Sequence, residues 1–331
     1  DFDGDGLHEV WVNTWDNFSM AIYEATGADA YRLANDLNEM FIDNDPGSFN
    51  RVGFAFHDID GDGAMEAWFP MTNGKLYYLE TVADSTDSAH FAVGGVDSIK
   101  ASHFHEILTF GPNSSRGGDV GDIDGNGKPD IIVGTGTAET VVRIEYQGSD
   151  PTDPFSYMVS TILESQGGDP DRWYSLDISD NDLDGDGGLE VVVPNIKGVL
   201  EGQAQILVLD HNTFTWDFDG GNAYTHLAPN WSRMAVMEKS INDSLFQTDP
   251  TGNSRTAIGG MDMDGDGRKE VIVTDYAGGR VIVYEYDVAN TAFDVVWSSP
   301  VVEARNHTSN PRTVNVGDLD GDGKHEIVFP S

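Results

Sequence analysis

The chain has 331 residues and is 39% hydrophobic, enough apolar material for a core and evidence against wholesale disorder. Its formal charge of −39, with 57 acidic residues against 18 basic ones, leaves no basic patch of the kind nucleic acid or an anionic membrane needs. There is no run of 18 apolar residues, so no membrane insertion is expected in this segment, and the absence of cysteine excludes a disulfide framework and a thiol nucleophile.

The organising element appears at once. Residues 1–9 read DFDGDGLHE, with Asp1, Asp3 and Asp5 on alternate positions, Leu7 seventh and Glu9 ninth. Three short carboxylates so spaced converge when the backbone coils tightly, and glycine permits the bend. Positions 1, 3, 5 and 9 offer side-chain oxygens and position 7 its backbone carbonyl. That donor set suits a hard cation, Ca²⁺ above all, which takes about six to eight oxygens.

The template returns five times. The copies are Asp58, Asp60, Asp62, Ala64, Glu66; then Asp122, Asp124, Asn126, Lys128, Asp130; then Asp182, Asp184, Asp186, Gly188, Glu190. Two more follow, Asp262, Asp264, Asp266, Arg268, Glu270 and Asp318, Asp320, Asp322, Lys324, Glu326. Up to six Ca²⁺ are therefore expected, with Asn126 weakening the third site slightly. The free variation at position 7 fits a residue that lends only its carbonyl. Six sets of four acidic positions, less Asn126, hold 23 of the 57 acidic residues. An EF-hand would need an acid at position 12 and a helix beyond it. Position 12 is instead Val12, Phe69, Val133, Val193, Val273 or Phe329, inside a β-branched or aromatic run, so each loop leads into a strand.

In chain order, strands are expected after the loops at 10–12, 67–69, 131–133, 191–193, 271–273 and 327–329. A turn and a further strand ending near an aromatic and a glutamate follow, as at 22–24, 77–80, 142–146 and 281–286. A weaker strand comes next, as at 157–163 and 293–297. An arginine stands six or seven residues before most loops (Arg51, Arg116, Arg255, Arg312) and ten before one (Arg172). The copies are spaced 57, 64, 60, 80 and 56 residues apart. Four short antiparallel strands per period is the grammar of a β-propeller blade. The expected blades are 1–50, 51–115, 116–171, 172–254, 255–311 and 312–331, within one partial propeller domain over 1–331.

Two stretches depart from the period. Leu33, Leu37, Met40 and Phe41 recur at helical spacing, so a short helix is expected within 26–45. The long interval before Asp262 places an insertion around 200–254, rich in aromatics (Trp216, Phe218, Tyr224, Trp231), on one face. The chain begins inside one copy and stops one strand past another, which makes a fragment of a longer polypeptide the expectation.

The loops and their downstream strands resemble the FG-GAP repeat of integrin-α type, known in bacterial proteins as the VCBS-type repeat. The resemblance implies an all-β, calcium-stapled propeller, seven-bladed and incomplete here, with the loops between the first and second strand of each blade. Position 9 departs from it, being Glu in five copies where Asp is usual. The Phe-Gly…Gly-Ala-Pro signature survives only faintly in Val52-Gly53-Phe54-Ala55.

Other signals are weaker. His103, His105 and Glu106 would make a metal array if both histidines shared a strand face, and the arginines a ring for an anion. No nucleophile elbow, phosphate loop or triad signature occurs. The expectation is therefore a secreted or cell-surface module for binding and adhesion or for surface structure, not an enzyme. Its loop face would take a protein or glycan, and self-assembly or a partner chain would complete the ring. The alternative is a secreted carbohydrate-active propeller of the polysaccharide-lyase or lectin kind.

Overall fold

The computed structural model describes residues 1–14, 19–28, 30–37, 55–71, 74–81, 95–100, 103–109, 115–135, 140–148, 150–165, 173–196, 204–211, 225–227, 231–238, 253–276, 279–299, 303–304, 307–308 and 311–330. Strands dominate, and the helical elements among these residues are short 3₁₀ turns such as Val96–Ser98 and Pro154–Ser156. The chain divides into two compact units.

The first unit comprises Asp1–Val120, Lys128–Ala138 and Val142–Ser160. Strands β1 (Glu9–Thr14), β2 (Ser19–Gly27) and β3 (Ala30–Asp36) form an antiparallel sheet. Next comes a four-stranded sheet of β4 (Ala55–His57), β5 (Met65–Pro70), β6 (Lys75–Thr81) and β7 (His105–Thr109). Strands β8 (Ser115–Gly121), β9 (Asp130–Thr135), β10 (Thr140–Tyr146) and the start of β11 (Tyr157–Ser165) begin a third sheet.

Successive residues of a strand point to opposite faces, and in β5 both faces are covered, whereas Val10 and Val12 of β1 stay exposed. Ala67 and Phe69 pack with Met20, Ile22 and Leu37 of the first sheet. Trp68, between them, packs the other way with Ile131, Val133 and Ile144 of the third. That explains the unbroken apolar runs after the loops: a strand buried on both sides does not alternate. Each such side chain contributes roughly 1.5–3 kcal/mol of burial, far more than the intrinsic strand propensity of any one residue.

The second unit comprises Gly121–Gly127, Glu139–Val141 and Thr161–Ser331. It includes β12 (Asp177–Ile178), β13 (Val191–Pro194), β14 (Ala204–His211), β15 (Thr225–Leu227) and β16 (Trp231–Glu238). Four of these pair in the order β12-β13-β14-β16, and β15 pairs with the end of β11, Leu163 opposite Leu227. Strands β17 (Ser254–Met261), β18 (Glu270–Asp275), β19 (Arg280–Asp287) and β20 (Ala292–Ser298) make the next four-stranded sheet. Short pairs β21 (Glu303–Ala304) with β22 (His307–Thr308), and β23 (Asn315–Gly317) with β24 (Glu326–Val328), complete it. Val192 and Val208 pack against Val271 and Val273. Ile272, on the opposite face, packs with Val314.

The acidic loops join β4 to β5, β8 to β9, β12 to β13, β17 to β18 and β23 to β24, the place expected for them. The helix expected within 26–45 is corrected over residues 30–36, which form a strand. β2 reverses after Gly27, and β3 pairs back along it with Leu33 opposite Tyr23 and Arg32 opposite Glu24. Arg32 holds Glu24 through a guanidinium nitrogen 2.9 Å from each carboxylate oxygen, which favours the extended pairing over a helix. Met40 and Phe41 lie outside the described residues, as do Trp216, Phe218 and Tyr224. Trp231 opens β16, buried and edge-on to His211 with ring centroids 5.1 Å apart.

Candidate metal centres

Each loop is built by its own carboxylates. In all six, the position-1 aspartate accepts a hydrogen bond through Oδ2 from the backbone N–H of the position-6 glycine, at 2.6–3.1 Å. The position-3 aspartate accepts from the N–H of position 5, at 3.1–3.3 Å. In the loops beginning at Asp1, Asp58, Asp182, Asp262 and Asp318, position 5 accepts from the N–H of position 7 at 2.8–2.9 Å. The coil needs two left-handed residues, as at Gly265 (φ 80°) and Gly267 (φ 95°), which is why glycine holds positions 4 and 6.

The five position-9 glutamates share a further bond. One oxygen accepts from the N–H of position 2 (Phe2, Ile59, Leu183, Met263, Leu319) at 2.5–2.9 Å. In Glu9, Glu66 and Glu190 the other oxygen is buried without a hydrogen-bond partner. Asp1, Asp3, Asp5 and Glu9 each bring an oxygen within 4.8 Å of the others, and Asp58, Asp60, Asp62 and Glu66 do the same. An orphaned carboxylate oxygen in an all-oxygen cluster fits a hard divalent cation and little else.

Electrostatics point the same way. Burial, with smaller contributions from Asp60, Glu80 and Asp58, pushes Glu66 up to about 9 despite the Ile59 N–H. Burial likewise pushes Glu190 up to about 7 and raises Glu270. Asp184 is raised by burial and then by Asp186 beside it. These carboxyls hold their protons too firmly for ordinary acids, and a cation would displace them.

The third loop differs. Asp122 accepts from the Gly127 N–H as its counterparts do, and also from the Asn126 N–H at 3.0 Å, as Asp318 does from Asp322. Asp130, at position 9, is gripped by the Arg143 guanidinium, Nε 2.6 Å and Nη2 2.9 Å from its two oxygens, all buried. Lys128 at position 7 reaches Gln147 with its side chain. Asn126 is therefore not the one reason to rank this loop last.

Sequence reasoning missed what faces the loops. In three sheets the strand after the loop strand carries an acid opposite position 9: Glu24 opposite Glu9, Glu80 opposite Glu66, Glu285 opposite Glu270. Like charges directly opposite destabilise a sheet, so each needs a partner. Arg32 serves Glu24, the Tyr78 hydroxyl donates to Glu80 at 2.5 Å, and Arg268 serves Glu285 at 2.5 Å. The recurring aromatic-glutamate ending of those strands was the available signal.

The histidine array is corrected. The strand begins at His105, and His103 lies in the turn before it, accepting from the Lys100 N–H at 3.1 Å. Glu106 is taken by Lys75 at 2.9 Å. Among the repeated arginines, Arg255 stacks on Tyr276 at 3.8 Å and Arg312 flanks the same ring at 5.6 Å. Arg51, Arg172 and the side chain of Arg116 lie outside the described residues.

Residues 262–329 match the FG-GAP-like repeat, which bears out the resemblance read from the loops. The protein is thus an all-β chain of several four-stranded antiparallel sheets that carries an FG-GAP-like repeat. Among solved structures it is similar to a protein from Lactobacillus plantarum, with 10% identity, a TM-score of 0.54, and 98% of this chain and 75% of that one covered. It is equally similar to a periplasmic gluconolactonase of Pseudomonas aeruginosa, at 11% identity and TM-score 0.54, over 100% of this chain and 72% of that one. No curated protein matches it in sequence.

These likenesses correct the expected function. A non-catalytic binding and adhesion module was inferred from a closed, loop-bearing β architecture and from missing catalytic motifs. The same fold, followed over the whole chain, belongs to a gluconolactonase, so this architecture gives no ground for denying catalysis. The designation as not an enzyme falls with it.

Proposed function

We propose that the protein is a calcium-loaded hydrolase of the lactonase type, its four-stranded sheets being propeller blades. The observation that carries this reading is the fold likeness to a gluconolactonase along all of the chain. Opening a sugar lactone requires water to add to the ester carbonyl and the acyl C–O bond of the ring to break, giving a hydroxy acid that ionises to its carboxylate and one proton. A bound divalent cation supplies positive charge that stabilises a developing oxyanion. Asp1, Asp3, Asp5 and Glu9, or Asp58, Asp60, Asp62 and Glu66, would hold such an ion, with position 5 at the surface in both. The carbonyls of position 7 would complete the shell. Extracellular calcium modules bind at roughly 10⁻⁴–10⁻³ M, which makes a calcium-rich exterior the fitting location.

Hydrolysis of glucono-δ-lactone, followed by acid release in a pH-stat, tests the proposal. Turnover above the spontaneous rate, lost on chelation and restored by Ca²⁺, is expected. A folded, calcium-saturated protein that leaves the spontaneous rate unchanged for five- and six-membered sugar lactones would refute it.

A further inference from the structure

We infer that the end of β17 far from its acidic loop carries a binding site for a small oxyanion, a carboxylate or phosphate group, held by Arg255 and Arg312. This stands independently of the lactonase reading. β17 runs from Ser254 to Met261 and delivers the chain into the loop at Asp262. Arg255 therefore stands at the opposite end, roughly 20 Å from that loop at about 3.3 Å per strand residue. Arg312 stands likewise ahead of β23, which leads into the loop at Asp318. In these two copies the recurring arginine thus lies away from the carboxylate loops, where it serves none of their acids.

Packing steadies both side chains. The Arg255 guanidinium lies 3.8 Å from the centre of the Tyr276 ring and 5.7 Å from that of Tyr174. Arg312 approaches the same Tyr276 ring at 5.6 Å. All three distances fall within the roughly 6 Å reach of a cation–π contact. The Arg312 main chain is anchored as well. Its carbonyl accepts from the Thr256 hydroxyl at 2.8 Å, and Val314, two residues on, is buried against Ile272. An exposed guanidinium is thereby carried on a fixed backbone.

Charge decides what the pair can do. Acidic residues outnumber basic ones by 57 to 18, and Arg32, Lys75, Arg143, Arg268 and Arg280 each hold a carboxylate. Arg312 makes no ion pair with the described residues. It stands beside a second guanidinium instead, the two within about 10 Å because both approach one ring. Like charges so close repel, and an anion received between them removes that cost. A guanidinium presents five N–H donors in a planar fork, so Arg255 can keep its other contacts and still offer donors to a carboxylate or a phosphate. The half-exposed Tyr276 ring lays an apolar surface beside the anion, which suits one carried on a carbon skeleton, as in a sugar acid or a sugar phosphate. The formal charge of −39 repels extended polyanions, which limits the ligand to a small molecule.

Isothermal titration calorimetry of the whole calcium-loaded chain with gluconate, glucose 6-phosphate and uncharged glucose tests the inference. Saturable binding of at least one anion, weakening as NaCl rises and absent with glucose, is expected, and the two anions distinguish a carboxylate site from a phosphate site. Arg312→Gln, at an exposed position, should weaken that binding about tenfold or more with the melting temperature unchanged. Arg312→Lys should recover part of it, since charge is kept and the fork is lost. Binding of neither anion, or glucose binding as tightly as the anions, overturns the inference, and so does an Arg312→Gln variant that binds as wild type does. If that variant does not fold, a wild-type crystal soaked in the bound anion decides, by density against Arg312 or by its absence there.

Discussion

At the scale of the residue, the position-9 glutamate has two tasks, divided between its oxygens. One closes the loop through the position-2 N–H; the other, in Glu66, is buried without a partner. Since burial pushes Glu66 up to about 9, the metal-free protein carries it as a neutral acid at pH 7. Glu66→Gln copies that neutral form. In chelator, its stability at pH 7 should therefore lie within about 1 kcal/mol of wild type. In Ca²⁺ the picture reverses, because an amide cannot supply the charge the ion requires. The Asp58 site should weaken at least tenfold, or about 1.4 kcal/mol, in calorimetric titration. A variant that binds Ca²⁺ as wild type does would remove Glu66 from the site. The third loop supplies a natural contrast: Arg143 already neutralises Asp130, so this loop should be the first of the six to empty as Ca²⁺ is lowered.

At the scale of the element, local information sufficed wherever a loop dictated what followed it. The aspartate spacing marks the turn, the glycines mark its left-handed residues, and the apolar run marks a strand buried on both faces. Partners fixed by distant register were not legible. Glu80 meets Glu66, and Asp210 approaches Asp184, only because hairpins fold back by a set number of residues. Arg143 reaches Asp130 for the same reason. The failed helix teaches a related lesson. Leu33 is 51% exposed and Leu37 fully buried, on either side of a register shift in β3, so their spacing of four marked no shared face, and the β2 edge was there to be paired. Strand spacing also explains Gly118. A Cβ there would stand only 2.2 Å from the Ile132 carbonyl oxygen across the β8–β9 pair. Gly118→Ala must push the strands apart and should cost about 3 kcal/mol, read from the denaturant midpoint. A loss under about 0.5 kcal/mol would show that the pair has slack.

At the scale of the whole molecule, the formal charge of −39 is partly a consequence of six loops drawing carboxylates together. Without cations that charge opposes folding, and the pH dependence follows from its direction. A carboxyl whose folded pKa is raised favours the folded state below its unfolded value, and that contribution is lost as pH rises through the folded value. Glu190, at about 7, and Glu66, at about 9, both start from 4.5. The chelated protein should therefore lose thermal stability steadily between about pH 5 and pH 9. Calcium acts in the opposite sense, because it binds only the ionised form and must displace protons at low pH. With extracellular-type affinities and about 10 mM free Ca²⁺, each filled site adds roughly 1.4–2.7 kcal/mol. The gap in melting temperature between calcium-loaded and chelated protein should thus widen from pH 5 to pH 9. Thermal unfolding in Ca²⁺ and in EGTA across that range measures it. A gap that stays constant or narrows would mean that the buried glutamates do not face the ion, and a gap of zero would mean that the loops are held by their hydrogen bonds alone.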